Sequence, residues 1–271
     1  MFLIFLYIFL LNPNRIFGLT WNSNIATFPN SWKISHISNI DLLSVVNDPQ
    51  NSTVKVIKIK HPKNSCSSAC GIPGGAGFTV KPFDNFNGNV TTLEYEVFFH
   101  STFDFVKGGK LPGIVGGNSG CSGCNQDIKS RENCFSARLM WGSEGKGYPY
   151  LYLPLNGNHM SDFCKLMNHG KCEGECGWGF NQTTYFAKNK WTKIKEYIKL
   201  NTPGKNDGIL QLWVNGVKKI DYNKVNYRVK SSVSINGFVL HPFFGGSGEL
   251  WSTKVDTYTL YKNFKFTDYL F

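Results

Sequence analysis

Hydrophobic and polar residues alternate along much of the chain, and this period of two predicts β-strands. In segment 93–100 the alternation places Leu93, Tyr95, Val97 and Phe99 on one face. Three further segments alternate in the same way, namely 135–141, 148–153 and 257–266. Glycine, asparagine and proline lie between the strands, as is typical of turns.

Turn sequences, and the small number of segments with helical periodicity, indicate the fold class. Asn215-Gly216 within segment 209–220 predicts a tight hairpin. Only segment 160–168 has a helical period, long enough for about two turns. Many short strands with few helices predict an all-β fold, specifically a two-sheet β-jelly roll. In such a fold one sheet often curves into a groove that binds a ligand.

Residues 1–18 are predicted to be a secretory signal peptide. Their apolar run of about ten residues is too short to span a bilayer and suits the apolar region of a signal peptide. The basic residues that usually precede this region are missing. A buried core strand or helix is the alternative. We place cleavage after Gly18, which leaves a single secreted domain over 19–271 with no membrane partner. Three glycosylation sequons fit this route, at Asn51, Asn89 and Asn181.

The cysteine content fits an oxidising compartment. Eight cysteines are present, namely Cys66, Cys70, Cys121, Cys124, Cys134, Cys164, Cys172 and Cys176. An even number in a secreted chain predicts disulfide bonds, whose pairing the sequence leaves open. Cys121-x-x-Cys124 and Cys172-x-x-x-Cys176 also have a spacing that suits zinc. We predict disulfides there and no metal.

Charge narrows the class of partner. Lysine and arginine number 29 against 18 acidic residues, for a net charge of +11. Such a chain favours an anionic partner: acidic polysaccharide, nucleic acid or a membrane surface. No nucleic-acid-binding motif is present, and predicted secretion also argues against nucleic acid. We therefore expect an acidic polysaccharide as partner, and a monomer.

Three clusters carry candidate chemistry. Lys110 lies in a glycine-dense segment, 108–113. Ser136, Arg138 and Met140 share one face of a predicted strand. A row of tyrosines shares a face of the next strand, at Tyr148, Tyr150 and Tyr152. Each cluster alone has an ordinary structural explanation, namely a turn, a solvated strand face or cross-strand packing.

Together, these residue types suit β-elimination better than hydrolysis. Hydrolysis of a glycosidic bond normally requires two carboxylates, and the clusters contain none. Elimination requires a cation that neutralises a sugar carboxylate, a base for the C5 proton and an acid for O4. Arginine suits the carboxylate, and tyrosine can act as base or acid. We expect nearby lysine and arginine charges to lower the tyrosine pKa from its usual value of about 10.

The motifs resemble polysaccharide lyase family 14, which includes alginate lyases and glucuronate-polymer lyases. The similarity extends from about residue 90 to the C-terminus. It includes 108–113, 134–141, 150–152, 199–204, 207–216, 244–246 with Trp251, and 262–264. The resemblance implies a β-jelly roll and elimination without metal or cofactor.

By the same resemblance, the catalytic residues are Lys110, Ser136, Arg138, Tyr150 and Tyr152. Arg138, with Ser136 and Lys110, would neutralise the carboxylate. Tyr150 or Tyr152 would exchange protons with C5 and O4. Lys110 either acts as base or holds the phenolate; the sequence leaves both roles open.

The sequence departs from the family pattern in one segment. Gly142 stands where the family usually has arginine, and 146–149 replaces a stretch that carries glutamate. This departure motivates an alternative function, a non-catalytic protein that binds acidic glycan. A hydrolase based on Glu94 and Glu96 is a further alternative.

Several other residues are candidates for substrate contact. Tyr148, His100 and Lys195 are predicted to bind substrate, and Lys193 and Lys199 would extend a basic track along the groove. Three tryptophans could stack on sugar rings, namely Trp178, Trp213 and Trp251. For the histidine and the tryptophans, an ordinary structural role is the simpler explanation, whereas for the lysines an exposed strand face explains the pattern equally well.

Overall fold

The computed structural model describes residues 16–118, 121, 128–154, 177–181, 183–246 and 248–270. Strands dominate this part of the chain, and its helices are short 3₁₀ turns. These turns span Ile25–Thr27, Ile40–Leu42, Ser68–Cys70, Ile128–Asn133, Ser143–Gly145 and Glu249–Trp251. The predicted helix at 160–168 lies outside the described residues.

Sheet A contains eight of the described strands. They are β1 (Ile16–Asn22), β3 (Leu43–Asp48), β4 (Asn51–His61), β6 (Val90–Phe99), β12 (Trp191–Lys199), β13 (Gly208–Val214), β14 (Val217–Val225) and β17 (Thr257–Leu270). Their order is β14-β13-β12-β6-β17-β4-β3, and β1 also pairs with β17. The sheet is antiparallel; β12, β13 and β14 are consecutive in sequence, whereas β17 joins β6 and β4 from the far end of the sequence.

Sheet B contains nine of the described strands. They are β2 (Ile34–Ser38), β5 (Gly77–Val80), β7 (Gly108–Gly117), β8 (Cys134–Gly142), β9 (Lys146–Tyr152), β10 (Trp178–Gly179), β11 (Thr184–Tyr185), β15 (Ile235–Leu240) and β16 (Phe243–Phe244). Their order is β10-β9-β8-β7-β15-β5-β2, while β11 pairs with β9 and β16 with β7.

The hydrophobic core lies between the two sheets. Leu93 and Tyr95 of β6 are fully buried in it, as are Ala137 and Leu139 of β8. Their neighbours in sequence point to the other face of each sheet, as the alternation predicts. Two packed antiparallel sheets confirm the predicted all-β jelly roll.

The predicted hairpin forms between β13 and β14. Val214 pairs with Val217 across a two-residue turn. Asn215 and Gly216 have φ angles of 50° and 81°. Positive φ at both positions is required for a type I′ turn, and asparagine and glycine adopt it readily.

Only the last part of the predicted signal peptide lies within the described residues. β1 starts at Ile16, which pairs with Leu270. The predicted cleavage after Gly18 would fall inside this strand, and the signal peptide stays a prediction. Among the described residues, no helix is long and apolar enough to cross a membrane.

Two disulfide bonds are present in the described part of the chain. They join Cys66 to Cys70 and Cys121 to Cys134. The zinc interpretation is therefore wrong for Cys121, because its sulfur is bonded to another cysteine. The remaining cysteines lie outside the described residues, namely Cys124, Cys164, Cys172 and Cys176.

The three sequon asparagines are all exposed. Asn51 begins β4, Asn89 precedes β6 and Asn181 follows a short strand segment. The side-chain oxygen of Asn89 accepts a hydrogen bond from Arg228 at 2.9 Å. Glycosylation at these positions stays a prediction.

A buried histidine should make the fold sensitive to acid. His61 has no exposed surface, and its ring nitrogens contact the Gly74 carbonyl at 2.7 Å and the Thr259 hydroxyl at 3.0 Å. Burial lowers the pKa of His61 to about 4. An unfolded chain binds this proton near pH 6.5. The stabilisation is therefore complete above about pH 6.5 and declines as the pH falls toward 4.

We expect the free energy of unfolding to fall by about 2 kcal/mol between pH 7.5 and 5 from this histidine alone. Urea unfolding at a series of pH values measures it. His61→Gln should flatten the pH dependence, whatever it does to stability at pH 7.5. An unchanged slope in that variant would contradict the assignment.

Candidate active site

Three neighbouring strands of sheet B carry the residues predicted to be catalytic. Arg138 of β8 lies opposite Tyr150 of β9, and Ser136 lies opposite Tyr152. Lys110 of β7 lies opposite Met140 of β8. These side chains point away from the core, since the alternate residues of β8 pack between the sheets. The register therefore brings together all five residues from three separate motifs.

The site is deep rather than an open trough. Lys110, Ser136 and Arg138 are only 7%, 3% and 4% exposed. Tyr152 is also buried, whereas Tyr150 is partly exposed. Tyr150 is thus the member of this set that solvent reaches most readily. Charges in such a shielded place interact more strongly than on a wet surface.

Lys110 packs against the row of tyrosines. Its Nζ lies 3.1 Å from the centre of the Tyr150 ring and 5.4 Å from that of Tyr152. The same nitrogen donates a hydrogen bond to the Met140 sulfur at 3.1 Å. Burial, and next the charge of Arg138, lower the pKa of Lys110 well below its usual value. The neutral amine is correspondingly more accessible than in an exposed lysine.

Arg138 is held by backbone carbonyls. Its Nε donates to the Leu111 carbonyl at 3.0 Å, and its Nη2 donates to the His241 carbonyl at 2.5 Å. A register shift between β7 and β8 lies at Lys110–Gly113 and includes Leu111. A Cβ at Gly113 would lie 2.4 Å from the Arg138 Cα, so only glycine permits this approach. Burial lowers the pKa of Arg138 to about 10, so it stays a cation.

Lys110 and Arg138 are both buried basic side chains. Within the described part of the chain, neither Lys110 nor Arg138 forms an ion pair with a carboxylate. A buried charge is costly unless a counter-charge accompanies it. The arrangement therefore suits an anionic group supplied by a ligand.

The pKa values of Tyr150 and Tyr148 are raised, whereas the sequence led us to expect lowered values. Burial, and next the neighbouring Tyr152, raise the pKa of Tyr150 far above its usual value. Burial raises the pKa of Tyr148 to about 12. The prediction that nearby cations lower these pKa values is wrong, because loss of solvation outweighs the attraction to positive charge. Both phenols are protonated at neutral pH.

Ser136 connects the site to a disulfide bond. Its hydroxyl donates to the Cys121 carbonyl at 2.9 Å, and Cys121 is bonded to Cys134 at the start of β8. The two cysteines pack against Tyr152 and Tyr150. The disulfide thus fixes the carbonyl that orients the Ser136 hydroxyl.

A second arginine belongs to the site and was missed from the sequence. Arg131 is 1% exposed, and its guanidinium carbon lies 5.8 Å from the centre of the Tyr152 ring. Its charge lowers the pKa of Tyr150 against the larger effect of burial. Arg131 lies in a short 3₁₀ turn before β8, where no alternation reveals which way a side chain points.

The segment that departs from the family pattern contains Lys146, which shares a strand face with the tyrosines. Alternation places Lys146 on the tyrosine face of β9. A Cβ at Gly142 would lie 3.5 Å from the Cβ of Lys146. Lys146 therefore occupies space beside position 142, and it pairs with the exposed Glu144 at 3.4 Å.

Two predicted substrate-binding residues lie elsewhere. His100 stacks on Tyr258 with ring centres 4.3 Å apart, at the end of a sheet A strand. Lys195 belongs to β12, also in sheet A. Neither lies beside Lys110, because that lysine is in the other sheet. Tyr148, in contrast, lies in the site, opposite Met140.

Glu94 and Glu96 are also on sheet A, away from the site. Glu94 lies 3.7 Å from the ammonium of Lys193, and Glu96 accepts a hydrogen bond from Asn263 at 2.8 Å. Both carboxylates point to the outer face of β6, since the alternate residues are buried in the core. The arrangement does not support the hydrolase alternative.

Comparisons with known proteins agree with the fold and the motifs. The family described as Polysaccharide lyase 14 matches residues 49–264. The crystal structure of the marine PL-14 alginate lyase from Aplysia kurodai is 29% identical, with a TM-score of 0.78 over 93% of this chain and 99% of that one. Alginate lyase vAL-1 from Chlorella virus is 27% identical, with a TM-score of 0.73 over 88% and 93% of the two chains.

A curated relative has a longer chain. Exolysin from Paramecium bursaria Chlorella virus 1 is 30% identical over 216 residues, which is 71% of this chain. The matched region spans only 32% of exolysin. The family match, in contrast, extends over most of the present chain and includes β7, β8 and β9. The chain therefore belongs to the polysaccharide lyase 14 family.

Proposed function

We propose that the protein cleaves a uronic-acid polysaccharide by β-elimination at the Lys110–Arg138–Tyr150 site. The observation that carries this proposal is the burial of two basic side chains, Lys110 and Arg138, that have no carboxylate partner among the described residues. A uronate carboxylate would supply the missing negative charge. The same charge pairing would make the C5 proton of that sugar more acidic.

The reaction divides among the residues as follows. Arg138 neutralises the carboxylate, and the Ser136 hydroxyl lies on the same strand face. The Lys110 amine takes the C5 proton. The electron pair of the C5–H bond forms the C4–C5 double bond, and the C4–O4 bond breaks. The Tyr150 phenol then gives its proton to the departing O4.

The contacts and pKa directions support this assignment of base and acid. Lys110 has a lowered pKa, so its neutral amine is accessible, whereas the raised pKa of Tyr150 keeps its phenol protonated. The Lys110 nitrogen lies over the ring of Tyr150 and bonds to the sulfur of Met140. This placement favours the role of Lys110 as the base over a role in which it holds a phenolate oxygen.

Alginate is the first substrate to test. Two similar solved structures are described as alginate lyases, at 29% and 27% identity. Both uronates of alginate offer the carboxylate and the C5 proton that the mechanism requires. We expect the products to carry 4,5-unsaturated ends that absorb ultraviolet light.

Tyr150→Phe removes only the phenol hydroxyl and should lower kcat by about 10²–10⁴-fold. The ring that packs on Lys110 remains, so the thermal midpoint should change little. Initial rates of ultraviolet absorbance on alginate measure the effect. Tyr148→Phe is the matched control from the same strand face, and we expect its kcat to stay within about tenfold of the original.

Three outcomes would contradict the proposal in whole or in part. If no polymer in a panel of alginate, polymannuronate, polyguluronate and polyglucuronate gives absorbance, the chain is not a lyase of this class. Salt-sensitive retention on those polymers without product would instead support the non-catalytic binding protein. Equal loss of kcat in both tyrosine variants would remove the acid role from Tyr150.

We also propose that the protein is secreted. The apolar N-terminal segment supports this, together with the two disulfide bonds, since such bonds persist in oxidising compartments. Sequencing the N-terminus of protein collected outside the producing cell tests cleavage after Gly18.

A further inference from the structure

A ladder of charged and aromatic side chains crosses the outer face of sheet A. Trp213 of β13 pairs with Lys195 of β12 on one side and with Lys218 of β14 on the other. Lys195 is followed across the sheet by Glu94, which is followed by Lys265. Neighbouring strands are about 4.8 Å apart, so the ladder is a continuous row perpendicular to the strands.

The indole of Trp213 lies among lysines. The Nζ atoms of Lys195 and Lys218 lie 5.1 and 5.2 Å from the centre of its ring. Trp213 is partly exposed, and the core residues of β13 are its neighbours Leu212 and Val214. The tryptophan is thus not required to fill the core.

A cleft of about 310 Å³ lies beside this indole. We call it the Trp213 cleft; it is lined by Glu94, Lys193, Lys195, Trp213 and Gly216. Glu94 is already shared by Lys193 and Lys265, at 3.7 and 3.9 Å. Lys218 is paired with Asp221 at 2.9 Å. Among the described residues, Lys195 forms no ion pair, so its charge is available to a ligand.

We propose that the Trp213 cleft is a second binding site for acidic polysaccharide, on the sheet opposite the active site. A sugar ring lies on the exposed part of the indole, and its carboxylate pairs with the Lys195 ammonium. The class of ligand rests on the proposed function, while the site itself rests on the ladder and the cleft. Binding there holds a long polymer on the protein between cuts.

The combination of ring and cation selects a charged sugar. An acidic peptide would use the lysines without needing the indole, and a neutral glycan would use the indole without needing the lysines. A uronate chain uses both. Salt should weaken the contribution of the lysines more than that of Trp213, because the lysine charges are exposed.

Binding is measured with chains that cannot cut, so Lys110→Ala and Tyr150→Phe are combined as the background. Trp213→Thr and Lys195→Gln are each added to it, and affinity for polymannuronate is read by electrophoresis through gels that contain the polymer. Threonine preserves the strand preference at position 213. We expect each change to weaken binding about fivefold. Lys219→Gln removes an exposed lysine of β14 outside the cleft and should have little effect.

A second arm uses the active chain. Trp213→Thr should raise KM for long alginate about fivefold and leave kcat/KM for a trisaccharide unchanged, because a short substrate cannot reach both sheets. Polyglutamate binding should depend on Lys195 and not on Trp213. Thermal unfolding of each variant checks folding, and Lys195→Gln remains informative if Trp213→Thr is unstable.

The outcomes separate this inference from the proposed function. Affinity that is unchanged in both cleft variants overturns the second site, even if the chain cuts alginate. An equal loss with Lys219→Gln also overturns it, since only general charge would then matter. If the original chain yields no unsaturated product but its polymannuronate affinity depends on Trp213, the cleft stands and the lyase function falls.

Discussion

The Lys110→Met variant will lose almost all lyase activity and will at the same time become more stable. We expect kcat on alginate to fall by about 10³-fold, because the base for the C5 proton is gone. We expect the free energy of unfolding to rise by about 1–3 kcal/mol, because a buried amine without a carboxylate partner among the described residues is replaced by an apolar group. Ultraviolet product rates and urea unfolding measure the two effects.

The surroundings of Lys110 favour the substitution. Its Nζ touches the Met140 sulfur and the face of the Tyr150 ring, both of which accept a thioether well. Methionine also has a similar length to lysine, so no cavity should form. The gain in stability would show that the amine is kept for chemistry at the expense of the fold.

Lys262→Met is the matched control with the opposite expected sign. Lys262 lies 2.7 Å from the fully buried carboxylate of Asp48. Removing the lysine takes away the counter-charge of that carboxylate, although Gln50 and Trp191 still donate hydrogen bonds to it. The loss should cost about 3 kcal/mol, without a direct effect on kcat. If Lys110→Met destabilises the protein as much as Lys262→Met does, Lys110 has a carboxylate partner in the protein, and this contradicts the proposal.

Arg138→Lys should reduce both activity and stability despite conserving the charge. Arginine donates from two nitrogens to the carbonyls of Leu111 and His241, and a lysine ammonium cannot reproduce that planar fork. A buried carbonyl left without a donor costs about 1–3 kcal/mol. Misplacement of the charge at the carboxylate should lower kcat/KM by about 10²–10³-fold.

Arg228→Lys separates the two effects. Arg228 also donates to backbone carbonyls, those of Asn201 and Val233 at 3.0 and 2.8 Å. We expect a comparable loss of stability with kcat/KM within about threefold of the original. Retention of full activity in Arg138→Lys would contradict the role of Arg138 as the partner of the sugar carboxylate.

Local patterns were sufficient to predict which residues share a face. The alternation in β8 separates Ser136, Arg138 and Met140 from the core residues, and the structure agrees. The turn at Asn215-Gly216 was predictable for the same reason, since its chemistry involves adjacent residues only. Motif resemblance supplied the third strand, which carries Lys110.

Properties that depend on distant strands could not be predicted locally. A strand's sequence does not say which sheet it joins, so His100 and Lys195 were assigned to the site although they lie in sheet A. The raised pKa of Tyr150 depends on burial by residues far away in the chain. Arg131 lies in a turn, where no alternation of residues indicates which way its side chain points.

The position of β17 has a consequence for folding. It lies between β4 and β6 and also pairs with β1, so strands separated by about 160–250 residues in sequence must meet. A chain emerging from the ribosome cannot complete sheet A until its last strand appears. Until then, β4 and β6 present unpaired edges to other proteins. Folding of sheet A should therefore be slow and should finish only once β17 has been synthesised, and chaperones would protect the open edges from aggregation until then.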